Sequence, residues 1–140
     1  MHFFFGDFKE NVSPSCEVEK SETGTTFCWN LPTGDKFSVQ FSNGHGGEEK
    51  IPHYHKGVRE VYTVHKGWLC ISIHHGNSEV QEIFLEPEND CVYAIKPGVV
   101  HTLTVNPRTV FTVQTFGESV RSLESGEDWH PADDTCIPHP

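Results

Sequence analysis

At 140 residues the chain is long enough for one hydrophobic core and too short for two comfortable domains, so a single domain with tails is expected. Its net charge is −10, and its ten Lys and Arg residues nowhere cluster; this argues against a nucleic-acid partner, because phosphate binding needs a basic face. No apolar run approaches membrane-spanning length, so no membrane partner is expected either.

The first ten residues are aromatic but lack a basic start and a seven-residue apolar run, which is not the pattern of a signal peptide. A soluble, cytoplasmic protein is expected. The Phe3-Phe4-Phe5 run needs cover, either as a short edge strand against a second subunit or packed back on its own barrel. Residues 7–26 carry few large apolar side chains. Strand signals then recur at short intervals. Phe27 to Leu31 ends at the turn composition of Pro32 to Asp35, and Lys36 to Phe41 alternates cleanly until Asn43-Gly44. Arg59 to Val64 is followed by Trp68 to Ile73, with Leu69, Ile71 and Ile73 on one face, closed by a tight turn over His74 to Asn77. Val80 to Leu85, Cys91 to Ile95, His101 to Val105 and Val110 to Phe116 complete the set. Eight or so short strands with Gly, Pro and Asn punctuation predict an all-β sandwich or barrel. Residues 117–140 are rich in Glu, Asp, Ser and Pro. There Trp129 either anchors the tail against the barrel or, with His130, closes over the barrel mouth as a lid.

Between Gly47 and Gly67, two imidazoles and a carboxylate fall within eight positions of each other: His53, His55 and Glu60. Alternate residues of an extended segment share a face, so His53 and His55 present their rings side by side while Glu60 returns from the next strand. His101 opens a fresh apolar alternation with Leu103 and Val105, which keeps its ring on the core face and makes it the fourth candidate ligand. Three rings and a carboxylate buried without a cation would leave costly unpaired groups. With no thiolate among them, these donors suit one divalent transition metal per chain: Fe, Mn, Ni, Co, Cu or Zn.

This stretch resembles the cupin superfamily. The first cupin motif has a glycine, five residues, two histidines separated by one residue, three or four residues, a glutamate, six residues and a glycine. It is matched at every position from Gly47 to Gly67. The second motif is matched in part: Gly98 and His101 hold their places, while Lys96 stands where the family usually has a proline, Asp90 where it has a glycine and Val105 where it has an asparagine. These departures touch turns and neighbouring contacts, not ligands. The resemblance covers about residues 36–116 and implies an all-β cupin jelly-roll β-barrel (double-stranded β-helix). Residues 27–116 would form the barrel, residues 1–26 an N-terminal arm with an edge strand, and residues 117–140 an acidic tail or lid.

The resemblance implies metal-dependent chemistry on small molecules, of the dioxygenase, isomerase, lyase or decarboxylase type. The expected function is an enzyme acting on a small oxygenated metabolite whose oxygens the metal orients. The alternative is a non-catalytic sugar- or organic-acid-binding or sensor module. Glu60 is a candidate proton acceptor as well as a ligand, and Tyr62, two positions on, shares its face, so its hydroxyl either contacts a ligand or is satisfied in the core. Strand parity offers Gln40, Tyr93 and Gln114 as cavity-facing, and assigns Phe41, Phe111 and Val113 to core or pocket wall. His45, His65, His74 and His75 read as solvated, as does Lys96. Five cysteines without metal-knuckle spacing read as small thiols in a reducing compartment. Many cupins dimerise, so a homodimer is expected.

Overall fold

The computed structural model describes residues 16–21, 24–30, 35–42, 46–116 and 128–132. Twelve strands run along them: β1 (Cys16–Ser21), β2 (Gly24–Asn30), β3 (Lys36–Ser42), β4 (Gly47–Glu48), β5 (His53–Tyr54), β6 (Arg59–Lys66), β7 (Leu69–His74), β8 (Val80–Leu85), β9 (Val92–Ile95), β10 (His101–Val105), β11 (Val110–Phe116) and β12 (His130–Pro131). They form two antiparallel sheets, one ordered β1-β2-β3-β11-β6-β9 and the other β12-β5-β10-β7-β8, with β4 also pairing β10. Among the described residues there is no helix, so none is long and apolar enough to cross a membrane. The all-β expectation and most strand positions match the sequence pattern. The additions are β1 and the start of β2, which extend the first sheet into the segment read as an arm, and β12, which adds part of the tail to the second sheet. The Phe3-Phe4-Phe5 run, His45 and Cys136 lie outside the described residues.

Period-two alternation decides what lies between the sheets. Tyr62 and Val64 of β6 and Phe111 and Val113 of β11 face Leu69, Ile71 and Ile73 of β7 and Leu103 of β10, with Leu85 and Ile95 closing the core. Leu69, Ile71 and Leu85 are completely buried. The same parity corrects one expectation: Gln114 falls between the inward Val113 and Thr115 and is exposed, so it does not face the cavity. Tyr93 is half-buried and packs against the core cluster. The β7–β8 turn is carried by Asn77 and Ser78, both at φ near +60° (63° and 62°), a primed turn whose twist suits a hairpin.

Two motif glycines take positive φ for different surroundings. Gly67 (φ +80°) lies against Thr109, and a Cβ there would come within 2.5 Å of Thr109 Oγ1 and 2.9 Å of its Cα. Thr109 is completely buried, and its hydroxyl donates to the Trp68 carbonyl at 3.0 Å, so it has no room to yield. Gly98 (φ +84°) has nothing within 4 Å of the same virtual atom. Gly98→Ala should therefore cost only the backbone term of about 1–2 kcal/mol. Gly67→Ala should add an overpacking term of about 1–3 kcal/mol on top. Urea unfolding of both variants checks this; equal losses would contradict the role given to Thr109.

Candidate metal centre

The site is built by strand register. The β5–β10 pairing sets His53 directly opposite His101, and His101 in turn faces Ile73 of β7. The backbone N–H of Gly98 donates to the His55 carbonyl at 2.7 Å, which joins the two sequence motifs just before β10 begins. Three buried rings result, with centroids 4.5 Å apart for His53 and His101, 5.2 Å for His53 and His55, and 5.6 Å for His55 and His101. One potential ligand nitrogen from each lies within 4.8 Å of the others. Glu60 comes from β6 in the opposite sheet, and its Oε1 lies 3.1 Å from His55 Nε2 and 3.6 Å from His101 Nε2. The three histidines predicted from spacing thus form one cluster, and Glu60 reaches two of them, His55 and His101.

The ring orientations suit metal binding. Each Nδ1 faces a backbone carbonyl, which can only accept: Ile51 O for His53 (3.2 Å), Asp128 O for His55 (2.7 Å) and Val99 O for His101 (2.9 Å). Donation from Nδ1 leaves each Nε2 lone pair free for a cation. His101 Nε2 and Glu60 Oε1 are sealed from solvent and make no hydrogen bond of proper geometry. A divalent ion accepted by both would remove that deficit, so the residues fit a metal. The site has the makings of a metal centre, whose donors would be His53, His55, His101 and Glu60.

Electrostatics divides the groups by environment. Burial works to raise the Glu60 carboxyl, but the imidazoles of His101 and His55 outweigh it and hold it near 2. Burial, reinforced by His101, lowers His53 to about 4 and keeps it neutral. His55 goes up against its own burial because the Glu60 carboxylate lies beside it. Tyr62, fully enclosed, donates to Glu60 Oε2 at 3.2 Å, and burial together with that carboxylate pushes its hydroxyl well above 10. It is a permanent donor that fixes one carboxylate oxygen and turns the other toward the rings.

Two further residues were not singled out in the sequence. Glu49 Oε2 lies 3.4 Å from His53 Nδ1 with no hydrogen-bond partner, and burial raises its carboxyl to about 7. Asp128, besides its carbonyl contact to His55, accepts the backbone N–H groups of Lys56 (2.8 Å) and Gly57 (3.1 Å) through its carboxylate. Those donors outweigh burial and hold its carboxyl below the usual range. Neither residue carries a periodic signal, since 49–52 is irregular and the Asp128 bond to His55 uses a backbone atom. Of the tail, only residues 128–132 lie among the described residues. Trp129 stacks on His53 (5.2 Å, 25°), His130 stacks on Tyr54, and the Asp128 carbonyl faces the Nδ1 of His55 alone.

Two half-open cavities lie beside the carboxylates Glu60 and Glu49, and none of the three histidines borders either. The larger, about 600 Å³, is bordered by Lys36, Ser38, Gln40, Glu60, Tyr62 and Thr115. The smaller, about 280 Å³, is bordered by Thr26, Gln40, Phe41, Glu49, Leu103 and Phe111. Gln40 reaches both, whereas Phe41, read as core or wall, is a wall with its outer face exposed. His74 is only half-buried and meets Thr102 Oγ1 at 3.1 Å, while His65, His75 and Lys96 are exposed. Cys16, Cys70 and Cys91 are free thiols.

No family model matches the chain, and no curated protein matches it in sequence. Solved structures do match. The capsular polysaccharide assembling protein CapF of Staphylococcus aureus superposes with a TM-score of 0.63 at 19% identity, covering 84% of this chain and 32% of that one. An oxalate decarboxylase variant of Bacillus subtilis gives 0.63 at 14% identity over 93% of this chain and 32% of the other. The chain has the cupin fold. The oxalate decarboxylase of Lactobacillus farciminis, in a formate complex, gives 0.57 at 15% identity over 84% of this chain and 32% of the other. The chain spans about a third of the length of these cupins.

The Glu60 shift has a definite sign. Its folded value lies below the unfolded 4.5, so its contribution to stability is complete above about pH 4.5 and is lost as pH falls toward 2. Glu60→Gln cannot ionise. The stability gap between wild type and this variant, measured by urea unfolding of metal-free protein, should be largest above pH 4.5 and shrink steadily toward pH 2.

Proposed function

We propose that the chain is a metal-dependent enzyme acting on a small oxygenated metabolite, of the dioxygenase, isomerase, lyase or decarboxylase type. The single observation that carries this reading is the convergence of three buried imidazoles with Glu60, whose Oε1 lies against two of the rings and whose side chain also borders a half-open cavity of about 600 Å³. The donor set suits Fe, Mn, Ni, Co, Cu or Zn. A bound ion would supply a Lewis-acid or oxygen-activating centre for substrate oxygens. The chain's own groups do the rest. His53, His55 and His101 hold the ion, and Glu60 adds a carboxylate oxygen fixed by Tyr62. Ser38, Gln40 and Thr115 offer hydrogen bonds to a hydroxylated or carboxylated ligand, and Lys36 stands at the same cavity. The oxalate decarboxylases among the structural neighbours act on a small oxygenated acid, which supports the reading at the level of fold.

One observation favours the second reading, a non-catalytic sugar- or organic-acid-binding or sensor module. Neither Glu60, held near 2, nor Tyr62, well above 10, titrates near neutrality in the metal-free protein, so neither is a ready proton shuttle.

Elemental analysis of protein purified without chelator should find one divalent transition metal per chain. His101→Ala, His53→Ala and Glu60→Gln should each weaken metal binding at least about tenfold. Metal added at 100 times its Kd should raise wild-type stability by about 2.7 kcal/mol. Oxygen-consumption assays with catechol, β-diketone and thiol substrates then test the oxygenase branch. A ligand that raises the melting temperature of metal-loaded protein without product forming would support the binding module. Absence of metal, with melting unchanged on adding Mn, Fe, Ni or Zn, would overturn both readings.

A further inference from the structure

The three rings are not steadied alike. His53 and His101 each place Nδ1 on a carbonyl two residues back along their own segment, Ile51 and Val99. His55 instead relies on the carbonyl of Asp128, 73 positions away. That carbonyl belongs to a short strap, residues 128–132. Among the described residues, the strap's hydrogen bonds to the rest of the chain all go to residues 52–57. The Asp128 carboxylate takes the N–H groups of Lys56 and Gly57, the Ala132 N–H donates to the Pro52 carbonyl at 2.8 Å, and β12 pairs β5 with His130 opposite Tyr54. The same strap stacks Trp129 on His53. Two of the three imidazoles are therefore backed by a piece of chain held by one two-residue strand and one carboxylate. A pairing this short is weak unless something else favours it.

We propose that the strap is a clasp thermodynamically coupled to metal occupancy, with Asp128 as the positioning residue that makes His55 ready to bind. The inference rests on the metal reading above. A neutral imidazole carries one proton. With that proton on Nδ1, His55 donates to Asp128 and offers a bare Nε2; with a proton on Nε2, whether alone or as the second proton of an imidazolium, the ring donates to Glu60 Oε1 at 3.1 Å and blocks the metal. A cation on Nε2 excludes a proton there and leaves the ring's one proton on Nδ1, where it donates to Asp128 and docks the strap. By reciprocity, a docked strap selects the arrangement that accepts the cation.

The test uses the full chain and the ions themselves, Zn²⁺ and Mn²⁺. Backbone hydrogen exchange of wild type should slow at Lys56, Gly57 and Ala132 by about tenfold or more on loading, and Asp128→Ala should raise the Kd for metal by about 10- to 100-fold. Asp128→Asn, which keeps an acceptor oxygen for one of the two amides, should recover part of that loss. The exchange measurement needs no variant and so survives any folding defect in Asp128→Ala. Metal binding by wild type with unchanged exchange at these three amides, or equal affinity in folded Asp128→Ala, would overturn the clasp and leave the metal centre standing. Failure of wild type to bind either ion would overturn both.

Discussion

The pairing of β5 with β10 is the constraint on which the centre depends. It puts His53 across from His101, and the Gly98 N–H on the His55 carbonyl holds the second histidine of the pair to the loop that delivers the third. A slip of one residue in β10 would turn His101 and Leu103 outward together, losing a donor and a core residue at once. The apolar layer of Leu69, Ile71 and Leu103 therefore protects the polar cluster by fixing the register that makes it.

The carboxylate arrives from the other sheet, so the distance between the sheets also sets the distance between Glu60 and the rings. Tyr62 and Val64 follow Glu60 on the inward face of β6 and pack into the common core, which ties that spacing to ordinary hydrophobic packing. Inside, the charges are arranged by contrast. One carboxylate, touching imidazoles, stays ionised, while another, Glu49, close to His53 but without a hydrogen-bond partner for its Oε2, is shifted toward neutrality. Two acids beside one histidine cluster are thus given different protonation habits by burial and neighbours.

The donors were legible in the sequence because side-chain identity and spacing carry their role. A histidine, one residue, a histidine and a returning glutamate can be recognised without coordinates, and His101 announces itself by the alternation it opens. What escaped notice works by other means. β1 is a polar strand, Cys16 to Ser21, with no apolar alternation to mark it, and it is found by pairing with β2. The Asp128 contact to His55 uses a carbonyl that any residue possesses, and β12 is two residues long. Gln114 was misplaced because Val113 and Gln114 cannot both face inward on a regular strand, and the larger apolar neighbour wins the interior.

The bond from Asp128 to His55 spans 73 positions, and the β3–β11 contact from Ser38 to Val113 spans 75. Contacts so distant in sequence must wait for a large loop to close, so the barrel belongs among slow, non-local folders. On the ribosome this imposes an order of assembly. Histidine donors from the first motif emerge early, yet the backbone group that aligns one of them is synthesised more than seventy residues later. Until that point a nascent chain exposes imidazole donors without their final geometry, and the cell's pool of loosely held ions meets an unfinished receptor.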